Sequence, residues 1–342
     1  MIIGVGLDAR LGLAFDELRL AAREAKRLGF ESVWTPAGGV PDSFHVCAAW
    51  AQDTGLRTGI SVVPAARMWA PLSLAGQAAT VAQLSAGTFV AGLGTGGYGP
   101  EFWASMGLPN RPVAVMRDYA TALRRLLAGE TVDHEGVGFT LRRASLGVRD
   151  LPPVPVYLAT LGPQMLRLAG ECADGALLNW ATPARIAESR QLVAEGAVRA
   201  DRDPAEVLLS MYIRVCIDDD VAAARRAFGA QALSYAMGRP GTPNTVGYRG
   251  MFGQMGFDEV LSELEAKRDA GTPMAELIDV APDELLLAVG YYGPAAGAPE
   301  AFARLSVGLD ETVVRVVTAR PGLEPVLEAM EALTPARITA AA

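Results

Sequence analysis

Two glycine-bearing junctions and three isolated polar residues are where chemistry could sit in this sequence. The first junction, Gly92-Leu93-Gly94-Thr95-Gly96-Gly97-Tyr98-Gly99-Pro100, follows an apolar run and contains a literal G-x-G-x-x-G. In a dinucleotide site such glycines turn the first strand of a βαβ unit tightly into a helix, and an acid ends the next strand. Here the pattern lies well inside the chain, and the acid at the right distance, Asp118, falls within a helical repeat. The glycines therefore serve either a plain structural turn or a close approach of a flat ring to the backbone, with Thr95 offering a hydroxyl. The second junction, Thr160-Leu161-Gly162-Pro163-Gln164, ends a strand and opens a helix, with Pro163 suited to the first helical position. It reads as an anion nest of peptide NH groups or as an ordinary capped turn. Asp8, His45 and Tyr98 stand near predicted strand ends and are the candidates for handling a proton, or else line a pocket.

Other chemistries are poorly supplied. His45 and His134 are the only histidines, so a multi-histidine metal centre is not expected. Cys47, Cys172 and Cys216 have no C-x-x-C spacing, sit in apolar surroundings and read as buried thiols. A formal net charge of −8 lacks the basic face that nucleic-acid binding needs, and no uncharged apolar run is long enough to span a bilayer. With no basic leader ahead of Ile2, the expectation is a cytoplasmic protein acting on a small organic molecule, with neither a nucleic-acid nor a membrane partner.

The elements that must position these residues alternate short β-rich runs with longer helical segments, which implies a parallel sheet with crossover helices. Eight strands are expected: Ile2 to Leu7, Ser32 to Thr35, Thr58 to Val63, Phe89 to Leu93, Val154 to Ala159, Gly175 to Leu178, Val207 to Ile217 and Thr312 to Val317. Both glycine junctions then follow strands, where the loops of a barrel converge. A helix over Arg111 to Ala128 has Met116, Tyr119, Ala120, Leu123, Leu126 and Leu127 on one face and is stopped by Gly129. Its other face, with Arg117, Asp118, Arg124 and Arg125, is expected to be solvated. Residues 218–293 loosen into helices broken by glycine and proline, an insertion before the last strand. The expected organisation is one domain over residues 1–335 with a tail over 336–342, fraying from Thr339 to Ala342.

At the two junctions the sequence resembles the luciferase-like superfamily, specifically its coenzyme F420-dependent branch, which includes methylenetetrahydromethanopterin reductase. The likeness is carried by Arg57 to Leu84 with Ser61-Val62-Val63-Pro64, by Phe89 to Gly138 with "GLGTGG" and "LLAGETVDHEG", and by "PVYLATLGPQMLRLAGECADGALLN". It implies a luciferase-like (β/α)₈ TIM barrel holding coenzyme F420, or FMN in the monooxygenase branch, in a homodimeric oxidoreductase. Thr160, Leu161, Gly162, Pro163 and Gln164 would hold the coenzyme phosphate, while Thr95, Gly96, Gly97 and Asn179 would approach the coenzyme. A non-prolyl cis peptide at Ser61–Val62 would lie behind the ring. The chain departs from the pattern in two places. Thr35-Pro36-Ala37-Gly38-Gly39 stands where relatives have an acid and a histidine, and Gly97 stands where they often have an acid. A less negative pocket walled by Trp69, Tyr98, Phe102 and Trp103 would follow, as would the possibility of a non-catalytic member.

Overall fold

Period-two alternation decides which side of each strand faces the helices. The computed structural model describes residues 1–65, 70–97, 100–148, 150–240 and 243–342. Eight strands close into a parallel barrel: β1 (Ile2–Gly6), β2 (Ser32–Thr35), β3 (Arg57–Pro64), β4 (Phe89–Gly94), β7 (Val156–Ala159), β8 (Gly175–Asn179), β9 (Leu208–Ile217) and β11 (Glu311–Val317). Their order is β9-β11-β1-β2-β3-β4-β7-β8, and the β8–β9 pairing shuts the ring. Each contains or overlaps one of the eight expected strands.

Ile3 and Val5 of β1, and Leu7 just after it, join the main core between barrel and helices, whereas Gly4 and Gly6 face inward. Other inward glycines make room for aromatic rings. A Cβ at Gly59 would lie 2.4 Å from Trp34, and one at Gly175 would lie 2.8 Å from Tyr157. Trp34, Val90, Tyr157, Leu177, Tyr212 and Val313 fill the interior. Glu311 closes the floor, with its Oε1 accepting from Ser32 Oγ (2.9 Å) and Trp34 Nε1 (3.2 Å). Arg57 adds a bond to the Tyr157 hydroxyl at 2.8 Å. The interior is therefore a packed core, and binding is left to the rim at the strands' carboxyl ends.

Three short strands were not among the expected eight. The antiparallel hairpin β5 (Val132–Glu135) and β6 (Thr140–Ala144) is polar and mostly exposed, so it carries no apolar alternation. The four-residue β10 (Gly290–Gly293) pairs with β9 from Arg214 to Ile217, just beyond the point where β8 stops at Asn179 opposite Tyr212. It belongs to the stretch 218–293, whose helices Val221–Ala236, Gly247–Phe252, Asp258–Asp269, Met274–Val280 and Asp283–Leu287 gather a second hydrophobic cluster.

Two expectations change. The polar face of helix Pro112–Leu127 is not simply solvated, because Arg124 pairs with Asp174 at 2.9 Å and Arg117 pairs with Glu171. Asp118 accepts from the Val137 amide and faces His134 at 3.3 Å, which ties the hairpin to this helix. The chain's last residues are helical over Pro335–Ala341 rather than frayed. Thr334 caps that helix, Pro335 occupies its first turn, and Ile338 is buried. Among the described residues no helix is long and apolar enough to cross a membrane.

Candidate active site

The ends of β3, β4 and β7 stand side by side and form one arc of the barrel mouth. The Ser61–Val62 peptide is cis, as the resemblance implies, and the β3–β4 register shifts between Ile60 and Val63. A Cβ at Gly94 would lie 2.6 Å from Val62 Cγ2, and one at Gly96 (φ +80) would lie 2.4 Å from Pro64 Cβ. The glycines thus let β4 run flush against β3, leaving bare backbone at the rim. Thr95 spends its hydroxyl proton on the Gly97 carbonyl at 2.9 Å. Gly97 is packed as well, since a Cβ there would meet the Phe102 ring at 2.5 Å.

At the next strand, Thr160 is buried, and its amide and hydroxyl both reach the Leu177 carbonyl, at 3.0 and 3.4 Å. Its role is to fasten the loop. Helix Pro163–Cys172 then starts from Gly162, with Pro163 in its first turn and no acid there. The Met165 and Leu166 amides return to the Gly162 carbonyl, both at 3.1 Å, while those of Leu161, Gly162 and Gln164 make no backbone bond among the described residues. Those three amides, with the positive end of the helix, can receive an anion. Arg185, buried in the following unit, braces this loop from behind by donating to the Leu161 carbonyl at 2.7 Å.

Asp8 lies across the mouth at the end of β1. It is buried, accepts from the Arg10 amide at 2.7 Å and pairs with Arg315 of β11. Burial pulls the Arg315 guanidinium down to about 9, and the Asp8 carboxylate beside it favours the charged form. Asn179, ending β8, accepts from Arg214 Nη1 at 2.6 Å and donates to the Tyr248 hydroxyl at 2.7 Å. Arg214 lies over the Trp180 ring at 4.0 Å and near Tyr235 at 5.2 Å. Burial alone would raise the Tyr235 phenol, but Arg214 and Arg10 outweigh it and bring the group below the usual tyrosine range. Tyr212 of β9 faces Ser61 across the interior, and burial raises its phenol far above the ordinary value.

The structure therefore brings Ser61, Val62, Thr95, Gly96, Gly97 and the segment Thr160 to Gln164 onto one arc, with Asn179 on the adjoining strand and Asp8 opposite. His45 is not drawn in. It opens helix Ser43–Thr54 with its side chain 84% exposed, and its Nδ1 is 2.7 Å from Asp42 Oδ1. Tyr98 and Trp69 lie outside the described residues. Trp103 is core, and Phe102 is half-buried against that core. Sequence reasoning missed Arg214, Arg315, Trp180, Tyr235 and Tyr248. The available signal was an arginine at an inward position within the apolar runs of two strands, β9 and β11.

Comparison with known proteins points the same way. A family model described as luciferase-like monooxygenase matches residues 3–305. The 5,10-methylenetetrahydromethanopterin reductase of Methanolobus tindarius is 31% identical over 209 residues, covering 60% of this chain and 63% of that protein. The F420-dependent glucose-6-phosphate dehydrogenase of Beutenbergia cavernae is 31% identical over 229 residues, covering 61% and 68%. The chain thus spans under two thirds of the first of these relatives. In fold it is similar to the coenzyme F420 dependent tetrahydromethanopterin reductase of Methanopyrus kandleri, with a TM-score of 0.75 at 22% identity, covering 98% of this chain and 99% of that one.

Proposed function

This chain belongs to the luciferase-like monooxygenase family, and from that premise we propose that it is an oxidoreductase moving hydride between coenzyme F420 and a small organic substrate. One observation carries the reading. Bare glycine backbone at Gly94 to Gly97 and the free amides of Leu161, Gly162 and Gln164 lie on adjacent strands of one arc, a flat surface beside an anion nest. The residues fit a ring-plus-phosphate coenzyme: no acid stands in the first turn at Pro163, and the rim glycines present backbone without side chains of their own.

When bound, a deazaflavin supplies two-electron hydride chemistry at its C5. The amides of Leu161, Gly162 and Gln164 would hold its phosphate, the backbone of Gly94 to Gly97 would receive its ring, and the far wall would present substrate. Of the three proton-handling candidates, Asp8 is held by Arg315 and His45 points to solvent, so neither is placed to give a proton freely. Tyr235, whose phenol is lowered by two guanidiniums, is the group best placed to exchange one at the mouth.

The experiment is a titration of the purified protein with coenzyme F420, FMN and NADPH. We expect F420 to bind below about micromolar, roughly −8 kcal/mol, and more tightly than the other two. FMN binding more tightly than F420 would make the chain a flavin-dependent monooxygenase instead, and binding of neither would end the coenzyme reading. A homodimer and a cytoplasmic location belong to the same proposal, the first checked by sedimentation.

A further inference from the structure

We propose that Arg214 anchors a carboxylate of the substrate, on the wall of the barrel mouth opposite the coenzyme arc. The hydride-transfer reading enters only in calling that acid a substrate. In the closed strand order, β9 stands opposite β3, β11 opposite β4 and β1 opposite β7. Arg214, at an inward position of β9, therefore faces the arc on which ring and phosphate are placed.

The argument turns on charge. Four arginines are buried among the described residues: Arg185, Arg214, Arg249 and Arg315. Arg185 has Glu188 at 2.7 Å, Arg249 has Asp258 at 2.8 Å and Glu265 at 2.9 Å, and Arg315 has Asp8. Of these four, only Arg214 has no carboxylate partner among the described residues. Its partners are the Asn179 amide oxygen, the Tyr235 phenol and aromatic rings, none of them a carboxylate, and its Nε finds no hydrogen-bond partner although it is buried. A guanidinium keeps its charge at any ordinary pH, and an unpaired buried charge is costly. The surroundings nevertheless hold it in place. The Asn179 amide is fixed by the Tyr248 hydroxyl, and Trp180, wholly buried, adopts φ +57, a left-handed conformation rare for a bulky residue, with its ring 4.0 Å from the guanidinium carbon.

An arginine held this way is short of one negative charge. With Trp180 against its face, the buried edge carrying Nε is the one left without a partner, and an edge of parallel N–H groups matches a planar carboxylate bidentately. A monoanion balances the single charge, whereas a phosphate dianion would need further donors. Arg10, exposed at the rim with its Nη2 3.5 Å from the Tyr235 hydroxyl, adds positive potential along the way in.

The test uses coenzyme-free protein and the fluorescence of Trp180, read against Trp180→Phe. Benzoate should give a saturable change, with benzamide and inorganic phosphate each weaker by at least about tenfold. Arg214→Gln should weaken benzoate by a similar factor. Asn179→Asp, which supplies an internal carboxylate and keeps the arginine, should do the same. Benzamide or phosphate binding as well as benzoate, or full benzoate affinity in Asn179→Asp, overturns the assignment. Coenzyme F420 affinity is measured in parallel and should stay within about threefold of the parent in Arg214→Gln. A loss of coenzyme affinity with benzoate unaffected would assign Arg214 to the coenzyme and overturn this inference alone. Benzoate binding through Arg214 in a chain that binds no F420 would leave this site standing and remove the hydride reading.

Discussion

A Cβ at Gly162 would meet nothing within 4 Å, and the backbone there is extended at φ −104 and ψ 165. Gly162→Asp therefore sets a carboxylate beside the first helical amides without disturbing any packing. It should weaken coenzyme binding by at least about 2 kcal/mol, through repulsion of the phosphate and competition for the amides, while the melting temperature barely moves. Unchanged affinity in the folded variant would take the phosphate away from this loop. Gly97 behaves differently. On sequence it marks a lost acid that Gly97→Glu could restore, but its Cβ would strike the Phe102 ring at 2.5 Å. Even Gly97→Ala should cost about 1–3 kcal/mol by overpacking, measured as a lower urea midpoint. Both junctions were legible because glycine and proline announce backbone geometry directly. Arg214 was not, because an arginine within "LLSMYIRVCI" becomes informative only when the strand's inward side is known.

The eight barrel strands were legible at the scale of elements, because each is an apolar run bounded by turn residues and separated from the next by a helical repeat. The hairpin β5–β6 and the strand β10 escaped for the opposite reason: pairing without an apolar run leaves no periodic signal. Strand starts hide a second feature. Glu311 begins β11 wholly buried, and burial raises its carboxyl above the usual glutamate range, with Arg57 at 3.6 Å and bonds from Ser32 and Trp34 opposing in part. A carboxyl whose folded pKa exceeds its unfolded one contributes stability fully below the unfolded value, and loses it as pH rises through the folded value. Glu311→Gln keeps the Oε1 acceptor and abolishes the ionisation. Its stability relative to the parent should therefore improve as pH rises above the ordinary glutamate value of about 4.3, read from urea midpoints. A difference independent of pH would show that Glu311 is already ionised without penalty on the barrel floor.

The whole molecule has two large hydrophobic clusters that meet at the rim where the candidate site lies. The larger joins barrel and outer helices, and the smaller gathers residues of 218–293 around Trp180, Cys216 and Val317, which come from the ends of β8, β9 and β11. A composition-level reading sees the looseness of 218–293 but cannot see this docking, which depends on one tryptophan just past β8. Phe228 is the bolt. It is wholly buried, lies edge-on to Trp180 at 5.9 Å, is tilted against Tyr292 at 5.8 Å and fills the space left by Gly290. Phe228→Ala should cost about 3–5 kcal/mol, and the cost should fall on the smaller cluster. Amides of helices Val221–Ala236 and Asp258–Asp269 should then exchange well before those of β1 to β4. The same variant should lose the ordered tyrosines above Arg214, so benzoate binding should fall while coenzyme F420, which we propose sits on the far arc, stays bound. Uniform loss of exchange protection across barrel and insertion would mean that the two clusters fold as one unit, and that the substrate wall cannot loosen without the coenzyme wall.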